Sequence, residues 1–187
     1  QKAAKLQDVL LKAHPSDVSI LSNQGSVWNN LGMLYDRQKR LPEAATAYEQ
    51  AIEFQRRALD GSQSSDAIRV LLGKHYFNYA RNLAAQARYG EAVAVELERS
   101  KLSPGNADRL YSVALDLAAI YRLMNGKPGA EQQKAKCVEA AASTLREALA
   151  AGLSRDKLQD RLLSGLTQDA EFVKLMDAKA NELSKAN

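Results

Sequence analysis

Apolar residues recur along this chain at helical spacing. Trp28, Leu31, Gly32 and Tyr35 fall at i, i+3, i+4 and i+7, so two aromatics, a leucine and a notch share one face of a helix. Beyond the polar Gln38-Lys39-Arg40, a second stripe of Leu41, Ala44, Tyr48, Ala51 and Ile52 alternates small with large side chains. Its alanines allow a second helix to lie close against the first. The same periodicity predicts helices over 2–13 (Leu6, Val9, Leu10 and Ala13 inward), about 17–39 with Ser16 or Asp17 as N-cap, 42–59, and 67–87 after a Gly/Ser loop that ends at Ser65 or Asp66. Further helices are predicted over 90–102, stopped by Ser103-Pro104-Gly105-Asn106, then over 107–124 and 130–151. Two short amphipathic segments, 155–163 and 169–183, close the chain, with Phe172, Leu175, Met176 and Leu183 expected to cover its exposed end.

The run Trp28-Asn29-Asn30-Leu31-Gly32-Met33-Leu34-Tyr35, followed by Ala44-Ala45-Thr46-Ala47-Tyr48, resembles the tetratricopeptide repeat signature W-x2-L-G-x2-Y then A-x3-F, with Tyr48 in the Phe slot. The resemblance implies an all-α, right-handed superhelix of antiparallel helix hairpins that presents a grooved surface to a partner. Setting Gly90-Glu91-Ala92 on Pro42-Glu43-Ala44 spaces two repeats 92 − 44 = 48 residues apart, against an ideal period of about 34, so the helices are elongated. In that frame Tyr76, Tyr79, Ala80 and Leu83 replace Trp, Leu, Gly and Tyr, while Glu96 and Arg99 depart from the pattern. The expected organisation is helical repeats over 1–152, the first truncated, with degenerate capping helices of the same domain over 153–187. The segments ADRLYSVALDLAAIY, STLREALAAGL and QDAEFVKLM are also similar to the extended-repeat C-terminal regions of large bacterial serine/threonine protein kinases. That likeness implies a recruiting or regulatory tail, and the residues themselves contain no kinase motif.

Composition narrows the class. Of 187 residues, 45% are hydrophobic and 26% charged, as in a folded soluble protein, and the 6% aromatics suit alanine-rich helix packing better than a sandwich or barrel. No run approaches the roughly 20 apolar residues of a membrane span, so membrane insertion is not expected, and a cytoplasmic location is. The chain opens at Gln1 in the middle of a helical pattern and reads as a piece of something longer. A single cysteine, Cys137, excludes an internal disulfide framework. The net charge of +4 comes from Lys and Arg interspersed with Asp and Glu, so nucleic acid is not the expected partner.

No catalytic constellation emerges. His14 and His75 have no Asp, Ser or Cys spaced to form a relay, and His75 is expected as a partly exposed helix residue. Cys137 on its alanine-rich helix suits a small buried hydrophobe. Asn125-Gly126-Lys127-Pro128 lacks the framing of a phosphate loop. The expectation is no enzyme, no metal and no cofactor. Binding is the better prospect, because in tetratricopeptide arrays the first helix of each pair lines the concave face. The positions turned to that face are Asn29, Asn30, Met33 and Arg37 in the first repeat and Lys74, Phe77, Asn78 and Arg81 in the second, with Ser26 and Ala85 beside them. Asn30 and Asn78 occupy one slot, where the family often uses an Asn amide to contact a peptide backbone. Lys74 and Arg81 with Asn78 resemble part of a carboxylate clamp, and Asp116 is the corresponding slot of the third pair. The expected function is a non-catalytic scaffold that binds a peptide or helical segment of a protein partner. The competing reading is a structural or self-association module, or the tail of a kinase, and the oligomeric state stays open.

Overall fold

The computed structural model describes residues 13–174 and 176–177, and every regular element among them is helical. In order these are α1 Val18–Arg37, α2 Leu41–Gly61, α3 Asp66–Ala85, α4 Tyr89–Ser100, α5 Ala107–Leu123, α6 Glu131–Ala150, two 3₁₀ turns at Arg155–Gln159 and Arg161–Leu163, and a short α7 at Ser164–Thr167; residues 170–174 and 176–177 are helical as well. The chain divides into two compact units, Gln1–Gln86 and Ala87–Asn187. Within each unit the helices pack in chain order, an all-helical arrangement like that of a tetratricopeptide repeat fold. The predicted helices lie within two residues of their observed bounds from α1 to α6. Residues 2–12 of the helix expected over 2–13, together with Leu175 and Leu183, lie outside the described residues, and Ala13, expected inward, is exposed.

In unit 1 the caps are the expected ones. The Asp17 side chain accepts from Ile20 N at 2.9 Å, and Ser65 Oγ accepts from Ile68 N at 3.4 Å, which satisfies orphan donors of the first turns of α1 and α3. The α1–α2 hairpin is built on two notches seven residues apart. A Cβ on Gly32 would stand 2.6 Å from Tyr48 Cε1, and one on Gly25 would stand 2.9 Å from Gln55 Oε1 and 3.0 Å from the Ala51 carbonyl oxygen. Neither space admits a methyl group. Ala44, Ala47, Ala51 and Ala58 are buried on the facing side of α2, so the helices close to a separation that larger side chains would forbid.

Several polar ties bind this hairpin to α3. The fully buried Gln55 donates through Nε2 to Ser22 Oγ on α1 at 3.2 Å and to the Ile68 carbonyl on α3 at 3.3 Å. At the other end, Asp36 of α1 accepts from Tyr48 Oη of α2 at 2.7 Å and from Asn82 Nδ2 of α3 at 2.6 Å. Asn82 Nδ2 also reaches the Leu41 carbonyl at 3.1 Å. Arg56 Nε donates to Tyr76 Oη at 2.6 Å while its guanidinium lies over the Tyr76 ring.

The turns after α1 and α3 repeat one local design 48 residues apart. Lys39 and Ala87 both adopt left-handed backbone, at φ 62° and 59°. The residue after each, Arg40 and Arg88, pairs with an acid three positions on: Arg40 Nε to Glu43 Oε1 at 3.0 Å and Arg88 Nε to Glu91 Oε1 at 2.7 Å. The 48-residue period deduced from Gly90-Glu91-Ala92 is therefore present in the conformation of the turns.

In unit 2, α5 and α6 form the main hairpin, with α4 packed on both. Leu117 and Leu145 are buried between them, and Cys137 Sγ donates to the Leu117 carbonyl at 3.2 Å. The stretch expected as one amphipathic helix over 155–163 is instead two 3₁₀ turns. Asp160 interrupts it with extended backbone (ψ 129°), and its side chain accepts from Leu162 N to start the second turn. This segment is held on α5 by Tyr111 Oη donating to Asp160 Oδ2 at 2.7 Å and Tyr121 Oη donating to Asp169 Oδ2 at 2.8 Å. Leu163, Leu166 and Phe172 are buried beneath it.

Replacing Gly32 with Ala should destabilise unit 1 by about 1–3 kcal/mol, the usual range for overpacking, read as a lower urea midpoint at unchanged m-value. Gly90, exposed and with its Cβ position 3.8 Å from Gln133 Cγ, an ordinary contact, is the comparison. An unaltered midpoint for Gly32→Ala would show that α1 and α2 are not in close contact.

Candidate functional site

The C-terminal halves of α1 and α3, with the α1–α2 turn, enclose a groove of about 450 Å³ in unit 1. Its wall combines apolar Met33, Leu41 and Ala85 with Asn78 and Asn82 and the charged Asp36, Arg37, Lys39 and Arg81. Tyr48 forms part of the floor and is 1% exposed, its phenol engaged with Asp36. Burial and that carboxylate push the Tyr48 hydroxyl well above its ordinary range, so it serves as a fixed donor. Asn82 is fixed as well, since its Oδ1 accepts from Gln86 Nε2 at 2.7 Å.

Of the eight residues singled out from the sequence, four line this groove: Met33, Arg37, Asn78 and Arg81. Asn29 is buried in the contact between α1 and α3, where its Oδ1 accepts from Asn78 Nδ2 at 2.9 Å. Asn78 thus spends a donor on its neighbour, and its partner is Asn29 rather than Asn30 of the equivalent slot. Asn30 and Lys74 are exposed and are not among the lining residues. Phe77 is half-buried with the Arg81 guanidinium 5.3 Å from its ring centroid. Lys74 lies outside the lining, whereas Arg81 shares it with Arg37 and Lys39. Asp36, Lys39, Leu41 and Asn82 were not legible as lining. Their shared signal is position, because Asp36, Lys39 and Leu41 flank the α1–α2 turn and Asn82 stands in the last turn of α3.

Residues 25–57 match the family model of the tetratricopeptide repeat. This segment is a tetratricopeptide repeat. The match spans most of α1 and α2, the hairpin of Gly25, Gly32, Tyr48 and Gln55, and carries no kinase relationship. No curated protein matches the chain. Tetratricopeptide repeats bind protein partners and are as a rule non-catalytic. Among the described residues no helix is long and apolar enough to cross a membrane.

The chemically reactive groups lie apart from the groove's open wall. His75 was expected to be partly exposed but is buried, with neither ring nitrogen partnered. Burial, aided by Lys74, lowers its pKa to about 4. Cys137 is fully buried, and burial raises its thiol to about 12, which leaves almost no thiolate at neutral pH. In unit 2, Glu96 is 0% exposed and has one oxygen without a partner. Its other oxygen accepts from Arg99 Nη1 at 3.0 Å, and the same nitrogen donates to Asp116 at 2.6 Å while Nη2 donates to Ser112 Oγ at 2.9 Å. Asp116 is thereby committed within unit 2. Burial raises the Glu96 carboxyl to about 7, Arg99 opposing and Asp116 adding to the shift.

These two groups give the units opposite responses to acid. A histidine with a depressed folded pKa contributes stability above its unfolded value near 6.5 that is lost as pH falls toward 4. A carboxyl with a raised folded pKa binds a proton in the folded state first, so its contribution grows as pH falls from about 7 to 4.5. Hydrogen exchange corrected for intrinsic rates should show α3 amides losing protection, and α4–α5 amides gaining it, between about pH 7.5 and pH 5. Glu96→Gln should abolish the second effect alone. Parallel changes in both units would contradict the assignment.

Proposed function

We propose that this tetratricopeptide repeat protein is a non-catalytic interaction module whose unit 1 groove receives a segment of a partner protein. One observation carries the reading: the groove is fixed from three helices at once, by the Asp36–Tyr48–Asn82 bonds, while its wall still offers apolar Met33, Leu41 and Ala85 beside polar side chains. A site held open before its ligand arrives avoids part of the ordering cost of binding. Residues 1–152 supply the repeats and 153–187 the cap.

Self-association is the second reading, favoured by Val27 and Leu34, which stand 44% and 48% exposed and seven residues apart on α1. Sedimentation over a range of concentrations separates the two, since a constant monomer excludes it.

Peptides selected on the full chain from a displayed random library should shift the backbone NMR signals of Met33, Asn78, Asn82 and Ala85. Ala85→Trp, which fills the groove from an exposed position, should abolish binding without lowering the melting temperature. Shifts confined to α5–α7, or unchanged affinity in Ala85→Trp, would overturn the groove.

A further inference from the structure

Of the apolar residues in the groove wall, Met33, Leu41 and Ala85, Met33 alone carries a group that a mild oxidant alters. It is 37% exposed, whereas Met124 in unit 2 is 0% exposed. Oxidation follows access, so the two thioethers stand at opposite ends of the reactivity expected within one chain.

The Met33 sulfur is also tied into the packing of the groove wall. Its Sδ accepts from Asn29 Nδ2, one turn back on α1, at 3.6 Å. Asn29 is 8% exposed, and its Oδ1 in turn accepts from Asn78 Nδ2 on α3 at 2.9 Å. Asn78 lines the groove together with Met33. A thioether is a weak acceptor, so the buried Asn29 amide spends a donor on a poor partner, and such a donor gains from a better one. A sulfoxide oxygen would be a strong acceptor within reach of that amide. Polarisation along linked hydrogen bonds carries the change to Asn78, across the α1–α3 contact.

We propose that Met33 is a reversible oxidation site, and that its sulfoxide weakens the hold of the groove on apolar partner side chains. This rests on the groove reading above and names how that site is regulated. The oxidant is a hydroperoxide. Met33 Sδ attacks its terminal oxygen, an S–O bond forms as the O–O bond breaks, and sulfur is oxidised by two electrons. The proton of that terminal hydroxyl passes to the departing oxygen, which leaves as an alcohol or, from hydrogen peroxide, as water. Before oxidation Met33 is a flexible, polarizable contact that adapts to varied apolar groups. Afterwards it is polar and chiral, and the lone pairs that Asn29 does not use lose water when an apolar ligand group covers them.

The test treats the full chain with graded hydrogen peroxide and follows Met33 and Met124 by mass spectrometry of proteolytic fragments. The chain carries Met176→Leu, because Met176 is partly exposed and would confuse the readout. Met33 should be converted while Met124 stays reduced. At that point the side-chain amide NMR signals of Asn29 and Asn78 should move, that of Asn125 in unit 2 should not, and methionine sulfoxide reductases should reverse the change. Peptides recovered on untreated protein from a displayed random library should bind the treated protein about tenfold more weakly, at an unchanged melting temperature. Met33→Leu, a volume-conserving swap, should bind them equally with and without peroxide. Met33 reacting no sooner than Met124, or Asn29 signals unmoved by its oxidation, would overturn the proposal whatever the peptides do. Peroxide that still weakens binding to Met33→Leu would overturn it by assigning the effect to another residue. Peptides lost on Ala85→Trp but held equally by treated protein would overturn the regulation and leave the groove. Peptides indifferent to Ala85→Trp, or no recovered binder, would overturn the groove reading and the regulation with it.

Discussion

One carboxylate holds the working part of this molecule together. Asp36 stands at the end of α1 and accepts from a phenol on α2 and an amide on α3, so three helices share a single anchor. The Tyr48 bond is possible because Gly32 leaves the ring room to lie against α1, and removing that notch would displace the donor. Sequence, packing and site are therefore one chain of cause: a glycine admits an aromatic, the aromatic reaches an acid, and the acid fixes the groove wall. Hydrogen bonds to a charged acceptor contribute more than neutral ones, which suits a tie that is only partly buried. Gln55 does the corresponding work at the other end of the helices.

Much of this was legible in the sequence because it is written locally. The 3.6-residue periodicity, the caps Asp17 and Ser65, and the stops at Gly61, Pro104 and Gly152 depend on neighbours a few residues away. The hairpin itself was legible because the signature from Trp28 to Tyr48 encodes the contact of two adjacent helices. The 48-residue spacing survived as well, reappearing in the left-handed backbone of Lys39 and Ala87.

What escaped depends on contacts between elements distant in the chain. No spacing rule ties Asp36 to Asn82, 46 residues on, so the groove lining was legible only by half. The equivalence of the Asn30 and Asn78 slots gave no sign that Asn78 donates to Asn29, because the register between α1 and α3 is set by side-chain packing rather than by repeat arithmetic. His75 appeared surface-like for the same reason. The two 3₁₀ turns after Ser154 were missed because Asp160 can cap a new turn as readily as it can sit on a helix. Glu96 did leave a trace, an acid in an inward slot with Arg99 one turn on, but only coordinates reveal that one of its oxygens has no partner.

The division of labour within the described chain follows from these ties. Unit 1 couples a rigid hairpin to an open, charged groove, whereas unit 2 closes its surface with tyrosine hooks onto the segment after Ser154 and buries its own acid. The most direct test of the central claim is a double-mutant cycle on Tyr48→Phe and Asn82→Ala, read by urea denaturation. If both side chains act through the Asp36 carboxylate, their effects should be coupled by about 0.5–3 kcal/mol, the range for residues in one hydrogen-bond network. Strictly additive losses would contradict a shared anchor.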